Sequence, residues 1–352
     1  MALFDDQARK HLDRVPLFVQ AVNHDFMMKY EDDMGFEEFP QLLNSPDYDF
    51  PFVLGFDGIF AHFPNSTIVK PVEIVDEMGN KRIITPEGRQ YHQNSTFYEK
   101  GLLTSIEILD QLKANIQKID AKQNIDMIIG SFEKLQDRLF LAPTTGGIFS
   151  RVFLGMGLSA FSMNFRKNTK FYHEFIKFRA EVLRNDIEGL VNATHGRGKV
   201  VFFTDDIAYK GRTIIPPERF LSDFGKYYKE INKIISDAGM IPLIHTDGDI
   251  TTMVKAFQEV GFRGLQGWEG GCDPVYITEH FPEFVVIGFA DMNDILPFGT
   301  PQQIEDHVKI LLSALKENRH YAAGPSSVIN ATMPIQNVRY FVEMVKKHGK
   351  YS

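Results

Sequence analysis

The stretch IPLIHTDG, residues 241–248, opens with apolar residues and ends in polar residues followed by glycine. This design is typical of a parallel β-strand that is buried on both faces and stops at a turn. Seven other runs share it: VPLFVQAV (15–22), PFVLGFD (51–57), LFLAPTT (139–145), VVFFTDD (200–206), GLQGWE (264–269), VVIGFAD (285–291) and YAAGPSS (321–327). The sequence therefore predicts eight strands.

Stretches with helical periodicity separate most of these runs. PPERFLSDFGKYYKEINKIISDAG (216–239) begins with proline, ends with glycine and has apolar residues at a spacing of three to four. GTPQQIEDHVKILLSALKEN (299–318) also has proline near its start and the same apolar spacing. Eight repeated βα units in one chain favour a closed barrel over an open sheet. We therefore predict an α/β fold of the TIM (β/α)8 barrel type, formed by residues 1–352 as a single domain.

The connection from residue 58 to residue 138 is too long for one βα loop, so we expect an insertion there. Its segment TIVKPVEIVDEMGNKRIITPEG predicts a hairpin that turns near Gly79 and Asn80, and a long helix is expected over 102–135. An insertion at this point between strands 2 and 3 is expected to cover the mouth of the barrel.

Composition narrows the class of ligand. The chain has 38 basic and 46 acidic residues, a formal charge of −8, and no long basic run. This argues against binding to nucleic acid or to an anionic membrane surface and favours a small molecule or another protein. The polar N-terminus, the lack of a membrane-length apolar run and the single Cys272 lead us to expect a cytoplasmic protein.

Polar residues at the ends of the predicted strands are the first candidates for function, because strand ends point into the mouth of such a barrel. They are Asp57, Asp205, Asp206, His245, Asp247, Glu269, Asp291 and Ser326. So many carboxylates on one rim would repel one another unless a cation, protons or a cationic ligand compensated.

The segment IHTDGD, 244–249, carries the strongest local signal. His245 and Asp247 alternate along the strand and can face the same side, and Gly248 allows a sharp turn. A metal ion would use His245, Asp247 and, from the next strand, Glu269. The alternative is a hydrogen-bonded histidine–aspartate pair that holds no metal, and spacing alone leaves both open.

Taken together, several segments resemble the uroporphyrinogen decarboxylase superfamily over nearly the whole chain. They are DRVPLF, DEMGNK, GGIFSRVFLGMGLSAF (146–161), FTDDIAYKGRTIIPPERF (203–220), IHTDGDI (244–250), VVIGFADMNDILPFGTPQQIEDHV (285–308) and YAAGPSSVINATMP (321–334). Within the superfamily, the chain is most similar to the corrinoid-dependent methyltransferases.

Two departures favour this branch. No arginine lies between Arg14 and Arg82, whereas the decarboxylase holds its polycarboxylate substrate with arginines in that region. The branch that methylates thiols has His-x-Cys on the fifth strand and a further Cys near the eighth. This chain has His245-x-Asp247 and serines, Ser326 and Ser327, at these places. The remaining resemblance is to O-demethylase methyltransferases that act on aryl methyl ethers.

The resemblance implies transfer of a methyl group from a small methylated donor, such as a methoxylated aromatic, to the cobalt of a corrinoid. No Asp-x-His-x-x-Gly pattern of a cobalamin-binding loop occurs in the chain, so we expect a separate corrinoid protein as partner. His245, Glu269 and Asp206 are the expected catalytic residues. Zinc is the expected cation if His245, Asp247 and Glu269 bind one. Asp57, Phe149, Tyr209, Trp268 and Ser326 are expected to bind substrate.

Two other functions remain open at this stage. One is a decarboxylase of a small carboxylic acid that shares the barrel and needs neither metal nor corrinoid. The other is a binding protein that has kept the fold and lost catalysis. The sequence does not indicate the identity of the donor or the oligomeric state.

Overall fold

The computed structural model describes residues 2–35, 46–62, 67–75, 79, 81–85, 88–91, 98–118, 129–130, 133, 138–194, 199–209, 211–268 and 271–351. Eight strands form one parallel sheet, in chain order β1 Phe18–Val19, β2 Gly58–His62, β3 Phe140–Gly146, β4 Val200–Thr204, β5 Ile241–Thr246, β6 Gly264–Gly267, β7 Val285–Ala290 and β8 Tyr321–Pro325. Leu17 bridges Ala323 in parallel, which closes the sheet. The predicted TIM barrel is confirmed.

Helices cover the outside of this barrel. After β1 come His24–Tyr30 and Pro46–Leu54, and after β3 come Phe149–Met156, Leu158–Lys167 and Lys170–Thr194. The later connections contain Pro217–Asp223, Gly225–Asp237, Val254–Glu259, Pro274–His280, Ile295–Phe298, Pro301–Leu315 and Ile335–His348. Within the described ranges, no helix has the length and apolar composition needed to cross a membrane.

The barrel interior is filled from its amino-terminal end. The 3-10 helix Ala2–Phe4 places Leu3 and Phe4 in one apolar cluster with Phe18, Phe60, Phe202 and Leu243. Because side chains alternate along a strand, the next inward position on β5 after Leu243 is His245, whose ring meets the edge of Phe60 at 6.1 Å between centroids. The interior thus changes from apolar to polar towards the carboxyl ends of the strands.

The prediction for the second strand is wrong. Residues 46–54 form a helix that begins at Pro46, a residue favoured in the first helical turn, and the strand is Gly58–His62. The run at 51–57 is apolar because the last turn of this helix and the segment after it are largely buried, which an isolated apolar run cannot distinguish from a strand. The first strand is also shorter than predicted, at Phe18–Val19.

The insertion is confirmed as a hairpin, but its long helix is not. Val72–Val75 pairs antiparallel with Lys81–Ile84, and Gly79 in the turn has a φ of +81°. Among the described residues of 102–135, Ile106–Ala114 form a helix, and the strand Ile116–Lys118, which pairs with Thr67–Val69, interrupts the predicted long helix. The described part of the insertion packs on helices that follow β3, where the Thr67 N–H donates to Asp186 at 2.9 Å. A cover over the mouth stays a prediction.

Candidate functional site

Three polar side chains meet at the carboxyl ends of β4 and β5. His245 lies on β5 beside Thr204 of β4, and Asp206 and Asp247 each follow one of these strands. His245 Nε2 lies 3.9 Å from Asp206 Oδ1 and 3.7 Å from Asp247 Oδ1. The His245 ring is buried, whereas the Asp206 side chain is 56% exposed. We call Asp206, His245 and Asp247 the mouth cluster. Its histidine is buried in the barrel, and its Asp206 side chain is exposed to solvent.

The other ring nitrogen of His245 contacts β6. Nδ1 lies 3.1 Å from the backbone oxygen of Gln266 and within hydrogen-bond distance of its side-chain Oε1. Gln266 is fully buried, and its Nε2 donates to the carbonyls of Pro325 and Ser326 at the end of β8. The sequence analysis missed this residue, although it is a lone polar residue two positions after Gly264 in a buried strand.

Gly248 holds the loops after β4 and β5 together. Its φ is +86°, and a Cβ atom at this position would lie 2.6 Å from the backbone nitrogen of Tyr209. Only glycine fits this position without strain. Tyr209 itself lies on a small hairpin, its ring half exposed and in contact with Arg212. The Tyr209 backbone therefore lies against the loop that carries Asp247, and its role in substrate binding stays a prediction.

The mouth cluster has the donors that a divalent cation needs. One atom from each of Asp206, His245 and Asp247 can be chosen so that all three lie within 4.8 Å of one another. An imidazole nitrogen with two carboxylate oxygens suits zinc and other first-row divalent ions. Two of the predicted metal ligands, His245 and Asp247, therefore lie close together, and Asp206 joins them. The third predicted ligand, Glu269, lies outside the described residues.

A family model described as uroporphyrinogen decarboxylase matches residues 94–348, which include the mouth cluster. The chain belongs to the uroporphyrinogen decarboxylase family. This family agrees with the superfamily that the sequence segments resemble. No curated protein matched the chain.

Among solved structures, a methyltransferase from Methanosarcina mazei has the same fold as this uroporphyrinogen decarboxylase family member. Their TM-score is 0.63 at 14% identity, over 98% of this chain and 96% of that one. A sugar phosphate isomerase/epimerase from Parabacteroides distasonis reaches a TM-score of 0.40 at 9% identity, over 96% of each chain, which is too weak to bear on function.

Asp205 has a structural role in this family member, unlike its neighbour Asp206. It is fully buried and accepts hydrogen bonds from the N–H groups of Phe149 and Ser150, at 3.2 and 2.6 Å, and from the Tyr228 hydroxyl. These bonds anchor the first turn of the helix after β3. Burial raises the pKa of Asp205 above its ordinary value, although the hydrogen bonds oppose this shift.

Two residues that the sequence placed in the substrate site are elsewhere. Asp57 precedes β2, at the amino-terminal end of the barrel, where it accepts two hydrogen bonds from Arg14 and one from the Leu17 N–H. Phe149 is fully buried among Phe153, Phe161 and Phe224. The first error follows from the misplaced second strand, and the second arises because the residue faces the helical layer.

The other two predicted substrate residues, Trp268 and Ser326, line a cleft. This cleft, of about 530 Å³, lies at the ends of β6–β8 and against the helices Pro274–His280 and Pro301–Leu315. Trp268 stacks on Phe289 with ring centroids 5.3 Å apart, and both residues have positive φ. The Ser326 hydroxyl contacts the Trp268 carbonyl at 3.3 Å. Gln266 hydrogen-bonds both His245 and the Ser326 carbonyl, so it connects the mouth cluster to a residue of this cleft.

Proposed function

We propose that this protein is a methyltransferase that moves a methyl group from a small methylated donor, of which a methoxylated aromatic is the model, to the cobalt of a separate corrinoid protein. The observation that carries the proposal is the mouth cluster, where a buried imidazole nitrogen and two carboxylates converge at the mouth of the barrel. Membership of the uroporphyrinogen decarboxylase family and the fold shared with a methyltransferase support it.

Methyl transfer from an ether requires activation of the leaving oxygen. The C–O bond of the donor breaks, the methyl carbon bonds to cobalt(I), which supplies both electrons, and the oxygen leaves and takes a proton. Cobalt(I) is already a strong nucleophile, so the enzyme must improve a poor leaving group. Asp206, His245 and Asp247 would hold a divalent cation, and that ion supplies Lewis acidity to the leaving oxygen when it is bound.

The residues around the mouth cluster would position the donor. Tyr209, half exposed beside Gly248, supplies an aromatic edge and a hydroxyl to a ring that lies over His245. Asp206 and Asp247 together balance the charge of a divalent cation, so the occupied cluster has no excess positive charge that would attract a polyanionic donor. An uncharged aryl methyl ether meets both conditions, whereas the polycarboxylate substrate of a porphyrinogen decarboxylase does not.

The direct test incubates the purified protein, loaded with zinc, with 2-methoxyphenol and cob(I)alamin in place of the partner. We expect methylcobalamin in the absorption spectrum and catechol in equal amount by chromatography. The chain purified alone should be colourless, since the corrinoid belongs to the partner. Failure of 2-methoxyphenol, methanol and methylamines alike to methylate cobalt would contradict the proposal. Release of CO2 from a small carboxylic acid would instead support a decarboxylase.

A further inference from the structure

Gln266 has an amide orientation that its partners dictate. Its Nε2 lies 3.2 Å from the Pro325 carbonyl and 3.1 Å from the Ser326 carbonyl, and both of these groups can only accept. A flipped amide would set an oxygen against two oxygens in a fully buried position, which is costly. The side-chain Oε1 of Gln266 must therefore face His245.

This orientation determines where the proton sits on His245. Nδ1 faces Oε1 of Gln266 and the backbone oxygen of the same residue, at 3.1 Å, and both are acceptors. Nδ1 therefore carries a hydrogen. In the neutral ring the lone pair is then on Nε2, the nitrogen that faces Asp206 and Asp247.

We propose that Gln266 is a positioning residue that fixes the Nδ1–H tautomer and the ring orientation of His245, so that Nε2 presents its lone pair to a divalent cation in the mouth cluster. The inference rests on the cation site of the proposed function. Outer hydrogen-bond partners of this kind orient the ligand ring of a metal site and raise its basicity. Gln266 lies on β6 and hydrogen-bonds both His245 on β5 and the carbonyls at the end of β8. It therefore links the carboxyl ends of three strands.

The first measurement needs no metal and no substrate. A long-range ¹H–¹⁵N spectrum of the metal-free protein, labelled at histidine, should show His245 as a single tautomer with its proton on Nδ1. A proton on Nε2, or a mixture of tautomers, would overturn the inference. This spectrum of the unchanged protein gives an answer whether or not the variants below fold.

The second measurement compares cation affinity in two variants. Gln266→Met keeps the length of the side chain and removes the amide. We expect its affinity for Zn²⁺, measured by competition with a chromophoric chelator, to fall about ten- to hundredfold. Asn232→Leu is the matched control, because Asn232 is also a buried amide that donates to a backbone carbonyl, that of Val260, but lies on the outer helix Gly225–Asp237. It should lose stability and keep the affinity for Zn²⁺.

The outcomes separate this inference from the proposed function. If the unchanged protein binds no Zn²⁺, the cation site itself fails. If it binds Zn²⁺ and Gln266→Met binds equally well, the positioning role fails and the cation site stands. If Asn232→Leu weakens Zn²⁺ binding as much as Gln266→Met does, the loss reflects general destabilisation, and the positioning role is again rejected.

Discussion

Carboxylates at the two ends of the barrel have different partners. At the amino-terminal end, Arg14 donates two hydrogen bonds of 2.7 and 2.8 Å to Asp57, and the Leu17 N–H donates a third of 2.7 Å. At the carboxyl end, Asp206 and Asp247 face a histidine instead of a guanidinium. The charge at the first end is neutralised within the protein, which stabilises the fold. At the second end the carboxylates lie beside His245 in the mouth cluster, where we propose that a cation binds.

The largest expected effect is at the mouth. His245→Ala removes the nitrogen donor, and we expect methyl transfer per folded molecule to fall about a hundredfold, equivalent to about 2.7 kcal/mol, while the protein stays folded. Single-turnover rates with cob(I)alamin and thermal melts measure the two quantities. His62→Ala is the control, because His62 ends β2 at the same end of the barrel, is exposed, and should keep full activity. A slow His62 variant would count against the mouth cluster as the site.

Glu269 is expected to behave like His245. The sequence places it directly after β6, and Glu269→Gln should lower methyl transfer about a hundredfold if it acts as a ligand or a general acid. The same rates and melts apply. Normal rates would exclude Glu269 and leave Asp206, His245 and Asp247 as the proposed donors.

The next effect belongs to the opposite end. Asp57→Ala leaves the half-buried Arg14 guanidinium and the Leu17 N–H without their acceptor, so we expect unfolding to become about 2 kcal/mol easier. Methyl transfer per folded molecule should not change. Urea unfolding with activity measurements tests both. A raised KM with unchanged stability would return Asp57 to the substrate site where the sequence had placed it.

The smallest effect concerns a charge on the outer helix Pro301–Leu315. Hydrogen bonds from Lys309 and His348 lower the pKa of Glu305 to about 2. A lowered carboxylate pKa means that the stabilisation is present above the ordinary value of 4.5 and is lost as the pH falls towards 2. Melting temperatures of the unchanged protein and Glu305→Gln should therefore differ at neutral pH and converge in acid. Glu343→Gln, on the neighbouring helix Ile335–His348, should not show this convergence.

The repeated apolar runs predicted most of the barrel. β1 and β4 to β8 fall within these runs, and β3 extends one residue beyond its run, because both faces of these strands are buried. The same signal failed at 51–57, where a short buried helix is apolar in the same way. The different roles of the neighbouring residues Asp205 and Asp206 were harder to predict from the sequence. Asp205 anchors a helix and Asp206 faces His245, and only the direction of the chain after Thr204 distinguishes them.

Gly248 has an evolutionary consequence. Loops at the carboxyl ends of barrel strands usually vary in length independently of one another, which lets one fold acquire new activities. Here the Tyr209 backbone, in the loop after β4, packs directly against Gly248, in the loop after β5. The two loops are therefore constrained to change together. A relative with an insertion between Asp206 and Tyr209 should also have a different residue at the position of Gly248.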